Sequence, residues 1–542
     1  MKLFKFLGDY PYTVLVTLVA ITAFFTLGSD FLFIDDTILV VNNPQVFFSL
    51  QNITAIFTKP LGQIHEAADY PIRFIYYRPA LSLLYMLNNS VWGINPVGFH
   101  IINLALHLFT AIVTYRIGMV LFERNSCIAL LAAALFCVHP VHNELVGRVA
   151  MNENLLGFFM AAALLWYLQE RKYLSLFAFT LALLTKESAV MLPFIMFLFA
   201  LRTKGLTSSA RLLAPYGIVV AVYLLIRTLI FGAHGEFVFN GQLLEPLLAA
   251  CSALAEYLRL LFVPYPLSIY YPVWRLAQPL QPELLLTFIV LLLLLYVIWK
   301  FHEDALLSPL LLGTVVLLVP VVIKANAMIL GEEMGFIAER QLYVPSILFS
   351  LFIAALVHKC TKSGNSPQLL AVFPLIIPLS FYLQVSTSAV WHDSNVLSLN
   401  FIEKFPDSAV AHRKKGLSLL RQGDADGALL EFTAALPVLK KEIPDKSIET
   451  DKKSRAKSIN MNNFAAYKPA YADIHRYIGM VYIAKNDYDT AIRKLKTSLV
   501  LQPHSVDART ALAGIYMKKR LYKDASREYR LALKDIDALK MP

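Results

Sequence analysis

Residues 11–36 read PYTVLVTLVAITAFFTLGSDFLFIDD, an apolar, uncharged run (11–29) that ends a few residues before a carboxylate pair, Asp35 and Asp36. About 19 such residues are long enough to cross a bilayer core. Lys2 and Lys5 precede the run, so the positive-inside bias places them in the cytoplasm and Asp35-Asp36 on the far side, at the membrane surface. A paired carboxylate there suits a general base for a substrate whose reacting group lies at the same boundary. A solvated helix end reads equally well from these residues alone. The run is too long to be a removed signal peptide and lacks a small-residue cleavage site.

The rest of the chain extends this pattern. Its 542 residues are 57% hydrophobic and 16% charged, with a mean hydropathy of +0.57, which excludes an ordinary soluble protein. Further apolar segments at 97–122, 127–146, 149–168, 173–185, 188–202, 212–231, 283–299, 307–323, 342–358 and 368–388 predict an all-α polytopic bundle of about eleven spans. The basic loops at Arg171-Lys172, at Arg202, Lys204 and Arg211, and at Lys359 and Lys362 fit a cytoplasmic face, provided that 247–263 dips into the membrane without crossing. The four cysteines (Cys127, Cys137, Cys251, Cys360) show no metal or CxxC spacing and read as core residues. No P-loop, GxSxG or HExxH occurs in a credible context.

Composition changes near Trp391. Residues 391–542 carry 27 Lys+Arg against 18 Asp+Glu, whereas the preceding 390 carry 22 against 20. Basic and acidic residues alternate in this tail, which suits a solvated helical face near lipid and not a nucleic-acid surface. Two domains follow, 1–390 in the membrane and 391–542 outside the bilayer. The tail repeats itself: Gly479, Tyr482 and Ala491 recur 34 residues on as Ala513, Tyr516 and Ala525, the period of tetratricopeptide helix pairs. An earlier unit carries Gly416, Ala428 and Phe432, 63 residues before its counterparts. A polar insertion near 441–469 accounts for the excess, and its Lys/Ser/Asp-rich part, 445–458, has the composition of a disordered segment. The repeats form an α-solenoid that either binds a protein or braces the membrane domain.

Ionisable groups inside or beside apolar segments are functional candidates. The loop 30–96 is long for a compact protein and holds Asp35, Asp36, His65, Glu66 and Arg78, with an amphipathic stretch at 79–92 suited to the interface. His139, His142 and Glu144 could share a metal or line a substrate pocket, and the pocket is the preferred reading because Pro140 breaks the helix between them. Glu153 reads as helix capping. Lys186 and Glu187 could neutralise each other. Arg227 is remote from acids in the sequence and suits a phosphate. Glu339-Arg340 is a further outer-face candidate.

The runs Phe-Ile-Asp-Asp, Tyr-Tyr-Arg-Pro, Gly-Phe-His-Ile-Ile-Asn-Leu-Ala-Leu-His, Phe-Cys-Val-His-Pro-Val-His-Asn-Glu, Leu-Leu-Thr-Lys-Glu-Ser and Ala-Glu-Arg-Gln-Leu-Tyr-Val-Pro-Ser, in this order, resemble the GT-C integral membrane glycosyltransferases. The best match is the transmembrane and tetratricopeptide-repeat O-mannosyltransferases and their bacterial relatives. The resemblance implies a lipid-linked sugar donor (a polyprenyl or dolichyl phosphate sugar), a protein or glycan acceptor and transfer on the extracytoplasmic side. The membrane would be the bacterial inner membrane or the endoplasmic reticulum. It also implies Asp36, or Asp35, as catalytic base. Arg78, His139, His142, Glu144, Lys186, Arg227 and Arg340 would bind substrate and lipid phosphate, with His65 and Glu66 as further candidates and no resident metal. The family often carries more repeats than the three seen here. The alternative is a non-enzymatic scaffold or lipid carrier.

Overall fold

The architecture follows from how the apolar runs are punctuated. In a computed structural model that describes residues 8–32, 36–59, 61, 76–150, 152–231, 244–268, 271, 282–328, 337–362, 369–404, 408–442 and 461–540, the apolar runs are largely helical and several open at Asn or Pro. Helix α1 (Pro11–Thr26) has proline in its first turn. It leads to a π-helical turn, Thr37–Val41, and to a short α2 (Leu50–Thr58). The stretch 79–92 forms α3 (Pro79–Trp92), which buries Leu81, Tyr85 and Met86 and exposes Leu87, Val91 and Trp92. Asn95 caps α4 (Pro96–Leu121) by accepting the Val97 N–H, and Asn125 caps α5 (Ser126–Cys137) by accepting the Ile128 N–H.

Pro140 ends α5 in a 3₁₀ turn, Pro140–His142. The short α6 (Asn143–Gly147), α7 (Glu153–Leu168) and α8 (Lys172–Thr185) follow. A second 3₁₀ turn, Glu187–Met191, opens α9 (Leu192–Lys204). Next come α10 (Leu206–Phe231), α11 (Leu244–Phe262), α12 (Pro282–Phe301) and α13 (Leu307–Met328). A 3₁₀ turn, Glu339–Leu342, leads into α14 (Tyr343–Lys362), and α15 (Leu369–Ser388) follows. Helix α4 packs on α5 and α7, and α14 packs on α5 and α7. Gly157 on α7 makes room for α14, because a Cβ there would lie 2.6 Å from the Tyr343 ring.

Three helical stretches, Pro96–Leu121, Leu206–Ile230 and Glu339–Lys362, are long and apolar enough to cross a membrane. Others are apolar but short. The 14 residues of α8 rise about 21 Å against a hydrocarbon core of about 30 Å. Helix length alone therefore supports three crossings among the described residues, not the expected eleven.

A second compact unit begins at Ser394. After α16 (Ser394–Lys404) it consists of three helix pairs: α17 (Ala409–Arg421) with α18 (Ala425–Glu442), α19 (Met461–Ala484) with α20 (Tyr488–Leu501), and α21 (Val506–Lys518) with α22 (Tyr522–Lys540). Helix α19 takes up 461–469, which the polar reading assigned to the insertion. Residues 443–460 lie outside those described. Gly416 and Gly479 stand at the same repeat position, where a Cβ would meet Phe432 and Leu495 of the second helix at 2.7 and 2.8 Å. The turns also repeat: Gly423, Asn486 and Arg520 occupy one register position, each with positive φ (85°, 60° and 61°).

A buried carboxylate and a charged network in the first unit

Asp36 is wholly buried. Its Oδ1 accepts the Ala150 N–H at 2.7 Å, and its Oδ2 accepts the Leu32 N–H at 3.0 Å and the Val149 N–H at 3.3 Å. The segment 148–150 can offer these donors because it lies in the non-helical break between α6 and α7. Its carbonyls are fixed from the other side by Asn103 of α4, whose amide donates to the oxygens of Arg148 (3.0 Å) and Val149 (3.1 Å). Burial pushes the Asp36 carboxyl above its ordinary range, against the opposing pull of Arg148 and the three backbone donors. Asp35, His65 and Glu66 lie outside the described residues.

The remaining candidates pair across the chain and not with their sequence neighbours. Glu144 accepts Arg148 Nη1 at 2.7 Å and the Arg340 backbone N–H at 3.1 Å, and it also pairs with the Arg340 guanidinium. Glu339, beside Arg340 in sequence, instead accepts the Ser268 N–H (2.7 Å) and the Tyr271 hydroxyl (2.6 Å). Lys186 and Glu187 do not neutralise each other. The Lys186 ammonium pairs with Glu153 at 2.8 Å and donates to Gln341 at 3.1 Å. Glu187 takes Arg78 at 2.9 Å. The Arg78 guanidinium also lies 3.8 Å over the Tyr76 ring. Partial burial works to raise the Glu187 carboxyl, but Arg78 outweighs it and holds the group at about 2. Glu153, read as a capping acid, is a buried ion-pair partner.

The histidines go elsewhere. His139 Nε2 meets the Leu261 carbonyl at 3.1 Å, and His142 Nε2 meets Ser346 Oγ at 3.0 Å. Glu144 is committed to guanidinium groups. Among the described residues no three His, Cys, Asp or Glu converge as metal ligands, so the metal alternative finds no ligand set there. Arg227 stands apart from this buried network, on an exposed face of α10 with Leu224, Leu225 and Leu229. Its charge is felt by Tyr223, one turn back, as are those of Arg78 and Glu187.

Sequence reasoning passed over the polar stripe of α4. His100, Asn103, His107, Thr110 and Thr114 are all buried and follow i, i+3, i+4 spacing along an otherwise apolar helix. His107 bridges the Tyr343 hydroxyl and the Cys137 carbonyl, both at 3.0 Å. The spacing was available in the sequence, and a polar stripe through a candidate span is a site signal.

Fold and site together define a helical membrane protein that carries a buried carboxylate, a network of buried ion pairs and a set of tetratricopeptide repeats. A family model described as a tetratricopeptide repeat matches residues 477–538. Over as much as 74% of its length the chain is similar to protein O-mannosyl-transferases. Protein O-mannosyl-transferase TMTC1 of Homo sapiens is 25% identical over 478 residues, covering 74% of this chain and 52% of that relative. Protein O-mannosyl-transferase F38B6.6 of Caenorhabditis elegans is 30% identical over 184 residues, 33% of this chain and 26% of that relative. Protein O-mannosyl-transferase TMTC4 of Mus musculus is 30% identical over 196 residues, 30% and 25% respectively. The chain spans about half, or less, of the length of these relatives.

Proposed function

We propose that the chain is a glycosyltransferase that moves a hexose, mannose or another, from a polyprenyl or dolichyl phosphate to a hydroxyl of a protein or glycan. The observation that carries this reading is Asp36, a buried carboxylate with a raised pKa, on a chain similar to proteins named O-mannosyl-transferases. In the reaction Asp36 accepts the acceptor's hydroxyl proton, the freed oxygen bonds to the anomeric carbon, and the bond from that carbon to the phosphate oxygen breaks. The lipid phosphate leaves with the electron pair, and cationic groups stabilise it. Oδ1 accepts one N–H in the structure, which leaves a lone pair for the proton. Arg340 and Arg227 are the cations assigned to the phosphate.

The reading further places the first loop and the repeats on the extracytoplasmic side of a multi-pass protein of about eleven crossings. A cysteine in place of exposed Lys523 should then react with a membrane-impermeant thiol reagent in intact cells. Reaction only after permeabilisation would put the repeats in the cytoplasm.

The rival reading is a scaffold in which Asp36 merely ties its loop to 148–150. Its three backbone donors favour that view. Incubating the purified chain with radiolabelled polyprenyl-phosphate sugars and membrane proteins separates the two. Label in protein or glycan supports transfer, and label that stays on lipid with every sugar tried supports the scaffold.

A further inference from the structure

The three helix pairs can be aligned position by position. His412, His475 and Arg509 occupy one register position on the first helix of each pair, and Glu431, Lys494 and Glu528 face them from the second. In the first pair His412 Nδ1 meets Glu431 Oε2 at 2.7 Å, and Lys415 joins the same carboxylate at 2.5 Å. In the third, Arg509 Nη1 meets Glu528 Oε2 at 3.2 Å. Both outer repeats therefore bind a carboxylate between their helices.

The middle repeat reverses this. Its second helix supplies Lys494, a cation facing a histidine. Among the described residues His475 Nδ1 is buried with no hydrogen-bond partner, and Lys494 is half-buried with no ion pair. Burial and the Lys494 charge together lower the His475 pKa. A buried ring nitrogen without a partner is costly. The neighbouring pairs show which group satisfies this position, a carboxylate on a short flexible stem. The surrounding helix is basic: Arg493, Lys494 and Lys496 fall within four positions of α20, and the Arg493 guanidinium donates to the Thr490 hydroxyl at 2.7 Å.

We propose that the middle repeat is a carboxylate-binding site for an acidic segment of a partner polypeptide. Lys494 supplies the ion pair and His475 the hydrogen bond that Glu431 and Glu528 satisfy internally in the outer repeats. One ammonium and one imidazole match one carboxylate, whereas a phosphate would call for more donors. This inference is independent of the transfer reaction.

The test uses the full-length chain in detergent and a fluorescein-labelled decapeptide of alternating Gly and Glu, with the Gly/Gln peptide as control, read by fluorescence anisotropy. The Glu peptide should bind and the Gln peptide should not. K494E places an acid opposite His475, as in the outer repeats, so it should keep or raise the melting temperature while weakening peptide binding about tenfold or more. H475A should weaken it less. Equal binding of the two peptides, no binding at all, or unchanged binding by a folded K494E would overturn the proposal. So would vesicles rich in phosphatidylserine that depend on Lys494 when the Glu peptide does not, because they would assign the position to lipid.

Discussion

The membrane unit and the repeats both hold ion pairs, but they build them differently. In the first unit, several partners come from far apart in sequence. Asp36 and Ala150 are 114 positions apart, Arg78 and Glu187 are 109, and Glu144 and Arg340 are 196. Arg148, Lys186 and Glu153 are almost fully buried. In the repeats, His412 with Glu431 and Arg509 with Glu528 span 19 positions each, join the two helices of one pair and recur in register. Long-range, desolvated pairs are expensive to assemble, so their convergence around the break at 148–150 marks a site. Short-range pairs that recur with the repeat period mark a scaffold, and the one place where that period fails, at Lys494, marks its binding position.

The largest expected effect tests the first half of this contrast. Asp36→Asn should lower transfer by about 10²–10⁴ while donor binding persists, measured by single-turnover kinetics beside an equilibrium binding assay. Asparagine offers one oxygen, so its amide would face the Leu32 or Val149 N–H. A modest fall in melting temperature is therefore expected, and equal loss of donor binding would favour a purely structural Asp36. Next in size, Glu144→Gln leaves the guanidinium of buried Arg148 beside a neutral amide and should destabilise the membrane unit by about 3–5 kcal/mol. The matched Glu431→Gln in the repeats, read by denaturation in the same detergent, should cost less, because its partners Lys415 and His412 keep 26% and 16% of their side-chain surface and so stay partly solvated. Similar costs at the two positions would break the comparison.

Arg227→Lys should weaken donor use more than acceptor use, because an ammonium cannot make a bidentate contact to phosphate. Unchanged donor dependence would reduce Arg227 to a lipid-surface anchor, in keeping with its exposed face. The smallest effect lies in a turn. Arg520 holds a left-handed conformation at the position where the first repeat has Gly423. Arg520→Gly should raise the stability of the repeats by about 0.5–1 kcal/mol, and a loss there would show that the arginine side chain outweighs its backbone strain.

The helices and repeats were legible because they are written in local periods. The apolar runs and the 34-residue spacing each act within one or two elements. The partners of the charges were not legible. Lys186 and Glu187 are adjacent, yet one turns to Glu153 and the other to Arg78, because side chains on a 3₁₀ turn point in different directions and only packing decides what they meet. For the same reason Glu153 was read as a cap, and the adjacent Glu339 and Arg340 turn to different partners. Apolarity predicts about eleven crossings, and helix length by itself supports three among the described residues, α8 and α9 being 14 and 13 residues long.

The measurement that most directly tests the central claim is the pH dependence of single-turnover sugar transfer. The base form of Asp36 is the ionised one, and burial raises its pKa in the folded protein. Its ionisation therefore weakens folding as pH rises through that value, while activity is lost as pH falls through it. The account predicts an acid limb whose midpoint lies above the ordinary aspartate value of about 3.9, with the Asp36 contribution to melting temperature rising, not falling, through the loss of rate. A rate that stays flat from well below that value up to neutrality would contradict it.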